Sequence, residues 1–155
     1  MVTIFGLPVH PLIVHATVVI VPLSALAVGL AAVWPRFRRW AVWGPLAAAV
    51  VALVLVPLTT TSGETLERQL PQEELIQQHA QLADGLLPWV IGLVVVAAAG
   101  LWMHGLAGRF GPRKALPRWL PVLVTVLAVV AMVGTLVEVV LIGHSGAAAA
   151  WTSLG

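Results

Sequence analysis

The sequence predicts an all-α fold: a four-helix bundle built inside a lipid bilayer. Three observations carry that expectation. The chain of 155 residues is 60% hydrophobic and only 9% charged, with a mean hydropathy of +1.02, whereas soluble domains average about 45–50% apolar and roughly 25% charged. Four apolar runs each reach the ~20 residues that cross a bilayer as a helix. Seven of the eight basic residues fall in two short segments between runs, the distribution that orients helices in membranes.

The first run spans about residues 11–34. No Lys or Arg precedes it, and its positive charges follow at Arg36, Arg38 and Arg39. A secretory signal has its basic region first, so this run is read as a retained helix. Pro22 lies within it and predicts a kink. The second run covers about residues 40–61 and is expected to end at Thr59-Thr60-Thr61-Ser62-Gly63, where hydroxyls and a glycine cluster. A polar segment follows, and Pro71-Gln72-Glu73-Glu74 reads as a helix start, with proline at the first position and acids in the first turn. One long helix is expected from about Gln72 to His104, an amphipathic extension leading into a third span over residues 85–104, with a kink at Pro88. The fourth span is about residues 119–143, ahead of a small-residue tail. The whole of residues 1–155 is expected to be one domain.

Arg36, Arg38 and Arg39 separate spans one and two, while Arg109, Arg113, Lys114 and Arg118 separate spans three and four. The central connection instead carries Glu64, Glu67, Glu73, Glu74 and Asp84 against Arg68. The positive-inside rule therefore predicts both arginine segments in the cytoplasm and both termini outside, in a multi-pass cell-membrane protein. Trp34, Trp40, Trp43, Trp102 and Trp119 fall at the inner interface on this topology, with Trp89 and Trp151 towards the outer one. Ala25, Gly29, Gly92, Gly100 and Gly134 are candidates for close helix approach.

Composition excludes several function classes. There is no cysteine, hence no disulfide, thiolate metal site or cysteine nucleophile. The pI near 10.5 rests on few charges, and no basic stripe interleaves with base-reading residues, so nucleic acid is not an expected partner. The expected surroundings are the bilayer, with subunits of a membrane complex, a redox partner or a second copy of the chain as further partner classes. Ser145 beside His144 lacks the base, orienter and oxyanion donors of a nucleophilic serine, and an enzymatic role is not the favoured reading.

The candidate site comes from counting depth at ~1.5 Å per helical residue. His10 and Glu64 lie roughly 36 Å, and His79 and His144 roughly 37 Å, above the inner helix ends. All four helices thus bring a possible ligand to one outer layer. His15 and Glu138 lie lower, both at roughly 28 Å, and form an expected pair, because a lone charge at that depth is costly. His104 sits beside the inner arginine segment, where solvation suffices. His15, His79, His10 and His144 are the candidate haem ligands; His10, His79, His144 and Glu64 are the set for a zinc, copper or iron ion instead; Glu138 and Ser145 are supporting or pairing groups.

His10-Pro11-Leu12-Ile13-Val14-His15, Ser62-Gly63, His79-Ala80 and Gly143-His144-Ser145-Gly146 together resemble the bacterial membrane family called domain of unknown function 2231, over nearly the whole chain. That likeness implies a bacterial inner-membrane bundle without an assigned activity. Its layout is similar to that of four-helix membrane cytochromes that hold b-type haem between paired histidines. The leading expectation is a histidine-lined site near the outer face, holding b-type haem or a transition metal for electron transfer or redox sensing. The alternatives are a cofactor-free accessory subunit of a larger complex and a proton or small-solute pathway through His15 and Glu138.

Overall fold

The computed structural model describes residues 3–4, 7–68, 74–104 and 116–152, with side chains from Leu12 onward except those of Leu66, Ala150 and Thr152. After a two-residue antiparallel pairing of Thr3–Ile4 with Leu7–Pro8, the described chain is helical: α1 (Val9–Val33), α2 (Pro35–Ala41), α3 (Gly44–Glu67), α4 (Glu74–Met103) and α5 (Trp119–Thr152). The segments Leu12–Val33, Gly44–Thr65, Glu74–Met103 and Trp119–Ala149 are each long and apolar enough to cross a membrane. Large apolar side chains such as Val18, Leu23, Val54, Val95, Val130 and Val140 stand exposed around the outside. Helices apolar on their outward faces need a lipid environment.

Several boundaries differ from the expected ones. The arginine segment after α1 is itself a short helix, started by Pro35 at its first turn, where a missing N–H costs nothing. The chain then breaks before α3, where Val42 adopts a φ of 41°. The hydroxyl run does not end α3. Thr60, Thr61, Ser62 and Thr65 each donate back to a carbonyl three or four residues earlier, and Thr59 Oγ1 lies 2.8 Å from Leu55 O, which satisfies the hydroxyls without leaving the helix. α5 runs past Gly143 to Thr152, carried by Ala147 to Ala150, the best helix formers. The long helix expected before the third span is present from Glu74; Pro71, Gln72 and Glu73 lie outside the described residues, as do Arg109, Arg113 and Lys114. α1, α3 and α4 run on through Pro22, Pro57 and Pro88.

Each long helix packs beside the next, and α5 closes the ring against α1, leaving α1 and α4 on the diagonal. The core has two layers. Ala25, Val28, Ala49, Leu93, Val96, Ala128 and Ala131 fill the half towards the α1–α3 and α4–α5 connections, here called the arginine end. Val21, Ala52, Val56, Leu86 and Val90 fill the half towards the termini, the histidine end. Alanine is prominent in the first layer, because bilayers offer no hydrophobic drive between helices and association depends on close backbone approach.

The α4–α5 seam has an antiparallel register written in glycines. A side chain at Gly85 would meet Glu138, one at Gly134 would strike the Trp89 ring, and one at Gly92 would touch Ala131. Four residues onward along α4, from 85 to 89, match four back along α5, from 138 to 134. Trp89 is thus a packing residue laid on α5, where an interfacial position was expected. Trp34, Trp40, Trp43, Trp102, Trp119 and Trp151 are exposed, as belt residues should be. Gly100 has nothing near it.

α1 and α3 are joined by buried hydroxyls. Thr17 Oγ1 and Thr59 Oγ1 lie 2.7 Å apart, and each also lies within bonding distance of its own i−4 carbonyl, Ile13 O at 3.0 Å and Leu55 O at 2.8 Å. Each hydroxyl has one proton, so one threonine donates across the interface while the other donates to its own helix. Thr17→Val and Thr59→Val are expected to show a coupling of about 0.6 kcal/mol in a double-mutant cycle of unfolding, the usual size for interhelical bonds in membranes. Additive losses would show that the two hydroxyls do not share a proton.

Candidate functional site

At the histidine end, the best-defined polar contact couples α4 to α5. His79 Nδ1 lies 2.9 Å from Ser145 Oγ, and Ser145 Oγ donates to Ile142 O at 2.9 Å. The one serine proton goes either to Ile142 O, with the imidazole donating from Nδ1, or to Nδ1 itself, according to the tautomer. In the first arrangement the lone pair of neutral His79 sits on Nε2. The ring lies close over Gly146, where a Cβ would come within 3.0 Å of His79 Cε1 and 3.3 Å of Nδ1. The three residues form one unit: Gly146 admits the ring, Ser145 orients it, and His79 presents Nε2.

Two turns further along α4, the Glu138 carboxylate rests on Gly85, with Oε1 only 2.7 Å from where a Cβ would stand. Glu138 is half-buried, so one side keeps access to the surroundings. His15 lies exposed on α1 and has contacts of its own. His144 precedes Ser145 by one residue, which turns it about 100° away from the seam, and it is exposed. Glu64 forms an exposed pair with Arg68, one turn away, at 3.7 Å. The His10 side chain lies outside the described residues. Among the described residues no three of His, Cys, Asp or Glu come together in a group that could hold a metal ion. The structure thus joins His79 with Ser145, pairs Glu64 with Arg68 and leaves His144 exposed.

Residues 6–154 match a family described as a predicted membrane protein, DUF2231. The chain belongs to this DUF2231 family. Neither the curated proteins nor the solved structures offer a match. Membership covers the whole bundle, both the histidine end and the arginine end, and agrees with the four apolar spans.

Sequence reading missed two parts of this site. Gly85 and Gly146 act as the floors on which Glu138 and His79 rest, and the only signal was a glycine beside each polar residue's partner across the seam. At the opposite end, Arg38 reaches back to α1, donating through Nη1 to Ala31 O at 2.9 Å and Ala32 O at 3.3 Å, two of the carbonyls that a helix end leaves unpaired. His104 shares a cavity with it. Burial, and then the Arg38 charge, hold the His104 imidazole below its usual range; burial, and then Arg39, lower Arg38.

Proposed function

We propose that the histidine end binds a redox cofactor, b-type haem, with His79 as an axial ligand, and that the protein transfers electrons or senses redox state at the outer face of the bacterial inner membrane. The observation that carries this reading is the Gly146–Ser145–His79 unit. A ligating imidazole ordinarily donates its second ring nitrogen to a fixed acceptor, which sets the tautomer and aims the lone pair. With its own proton on Ile142 O, Ser145 would serve as such an acceptor for Nδ1. Haem needs one or two axial imidazoles and an apolar surround, which suits histidines spread over separate helices. His15 on α1 is the second axial candidate, with His10 and His144 behind it. A zinc, copper or iron ion needs a tighter set, which would draw on His10 or a second copy of the chain.

An accessory-subunit reading draws on a different observation. The outer face of the α4–α5 seam is an apolar groove of about 500 Å³, lined by Trp89, Gly92, Val95, Leu127 and Val130 among others, and a groove of this shape accepts a neighbouring helix. An optical spectrum of the purified protein, oxidised and then reduced, with elemental analysis of the same sample, separates the readings. A Soret band with sharpened bands on reduction supports haem. Colourless protein with stoichiometric metal moves the reading to an ion site. A colourless, metal-free protein that is stable only with partner subunits supports the accessory role.

A further inference from the structure

The carboxylates among the described residues, Glu64, Glu67, Glu74, Asp84 and Glu138, all lie in the histidine half. The arginine end has none. It does have a cavity of about 40 Å³, where the end of α1, the start of α3, the end of α4 and the start of α5 converge. A water needs roughly 10–15 Å³ of such space, so this one holds a few waters or the oxygens of one tetrahedral oxyanion. Its polar wall is formed by Arg38, His104 and Thr125, and its remainder is apolar, including Val28, Leu46 and Val96. Arg38 spends Nη1 on the α1 carbonyls. A guanidinium has five N–H donors, so Nη2 and Nε retain three of them.

We propose that this cavity is an oxyanion site, taking one phosphate or sulfate group between Arg38 and His104, with the Thr125 hydroxyl as a further donor. The group is either the phosphate of an acidic phospholipid, whose chains would lie along the apolar wall, or a free inorganic anion. Cationic pockets between helices at a membrane surface bind anionic headgroups by this chemistry, and Arg is suited to oxyanions because its fork donates two parallel bonds. The site is at the far end of the bundle from His79 and does not depend on the cofactor reading.

The charges make binding and protonation reciprocal. Arg38 is the charged group that faces His104 across the cavity among the described residues; the lining from α1, α3 and α5 is uncharged. With no anion bound, burial and then Arg38 disfavour the imidazolium. A bound anion reverses the Arg38 contribution, so binding takes up a proton at His104 and tightens as pH falls through the window between the two midpoints. Sulfate keeps its charge across that window, which makes it the soluble probe.

The test is a histidine Cε1–H NMR titration of the full chain in neutral detergent, with and without sulfate, with His104→Gln assigning the resonance. Sulfate is expected to raise the His104 midpoint, and Arg38→Gln to weaken sulfate binding at least about tenfold, while Arg39→Gln retains it. The lipid arm uses nanodiscs of phosphatidylcholine with or without phosphatidylglycerol. A rise with phosphatidylglycerol that sulfate cannot reproduce assigns a lipid headgroup; a rise with sulfate in pure phosphatidylcholine assigns a free anion. If Arg38→Gln does not fold, Thr125→Val carries the test, and is expected to weaken binding severalfold. The proposal is overturned if neither probe moves the His104 midpoint, or if Arg39→Gln abolishes the shift as fully as Arg38→Gln.

Discussion

Gly134→Val is expected to destabilise the bundle by about 2–3 kcal/mol, in the range of overpacked cores. The reason is specific to one contact. A Cβ at Gly134 would overlap three atoms of the Trp89 ring, and a six-membered ring wedged between α4 and α5 cannot step aside by a single rotamer change. Trp89→Ala in the same chain should recover much of the loss, because the added methyls then occupy the space the ring vacates. Two other glycines calibrate the result. At Gly29 the added carbon meets Met132, chiefly its sulfur, and an unbranched thioether yields readily, so Gly29→Ala should cost less than about 1 kcal/mol. At Gly100 nothing stands within 4 Å, so Gly100→Ala should be neutral or stabilise by up to about 1 kcal/mol through helix propensity alone. Unfolding in mixed micelles ranks all three. If Gly134→Val were as mild as Gly29→Ala, the α4–α5 register described above would be wrong.

If the histidine end holds b-type haem as proposed, His79→Ala is expected to remove the Soret absorbance of the purified protein, while His144→Ala leaves it in place. The contrast matters because the two residues lie at the same counted depth and only His79 is held in the seam. Ser145→Ala retains the ligand but removes the acceptor for Nδ1, and second-sphere losses of this kind cost about 10- to 100-fold in affinity. Gly146→Val should have an effect nearer to that of His79→Ala, since its Cβ would press on His79 Cε1 at 3.0 Å and displace the ring. His15→Ala tests the second candidate ligand and, on the haem reading, would be expected to alter the spectrum without abolishing it. A full-strength spectrum from His79→Ala would remove His79 as a ligand and move the site to other histidines. Each variant's unfolding should be measured beside its spectrum, so that loss of colour is not mistaken for loss of fold.

Much of the architecture was legible from composition. Runs of apolar residues long enough to cross a bilayer can be counted, and so can the arginines and acids that separate them. Pro35 and the threonine run show where counting by residue type went astray. Pro35 opens a short helix in the segment that separates the first two spans, and the threonines stay helical by bonding to their own carbonyls. Counting depth correctly brought His79 and the Gly143–Gly146 stretch to one level. It could not say that Ser145 meets His79 while His144 points away, nor that Arg38 folds back to share a cavity with His104.

The division has a physical cause. Insertion depends on total hydrophobicity and helix length, which are sums over residues in sequence order, so the sequence by itself determined that this is a membrane protein with four apolar spans and with seven of its eight basic residues in the two segments between spans one and two and between spans three and four. Side-chain meetings depend on which face of each helix turns inward. In a soluble bundle an apolar stripe announces that face; here the helices are apolar all round, and the sequence has no stripe to read. Only the packing of small residues, Gly85 under Glu138, Gly134 under Trp89 and Gly146 under His79, fixed the rotation of α4 against α5. The tertiary structure therefore decided which polar groups meet, because in lipid the close approach of backbones, and not the burial of apolar surface, selects the interface.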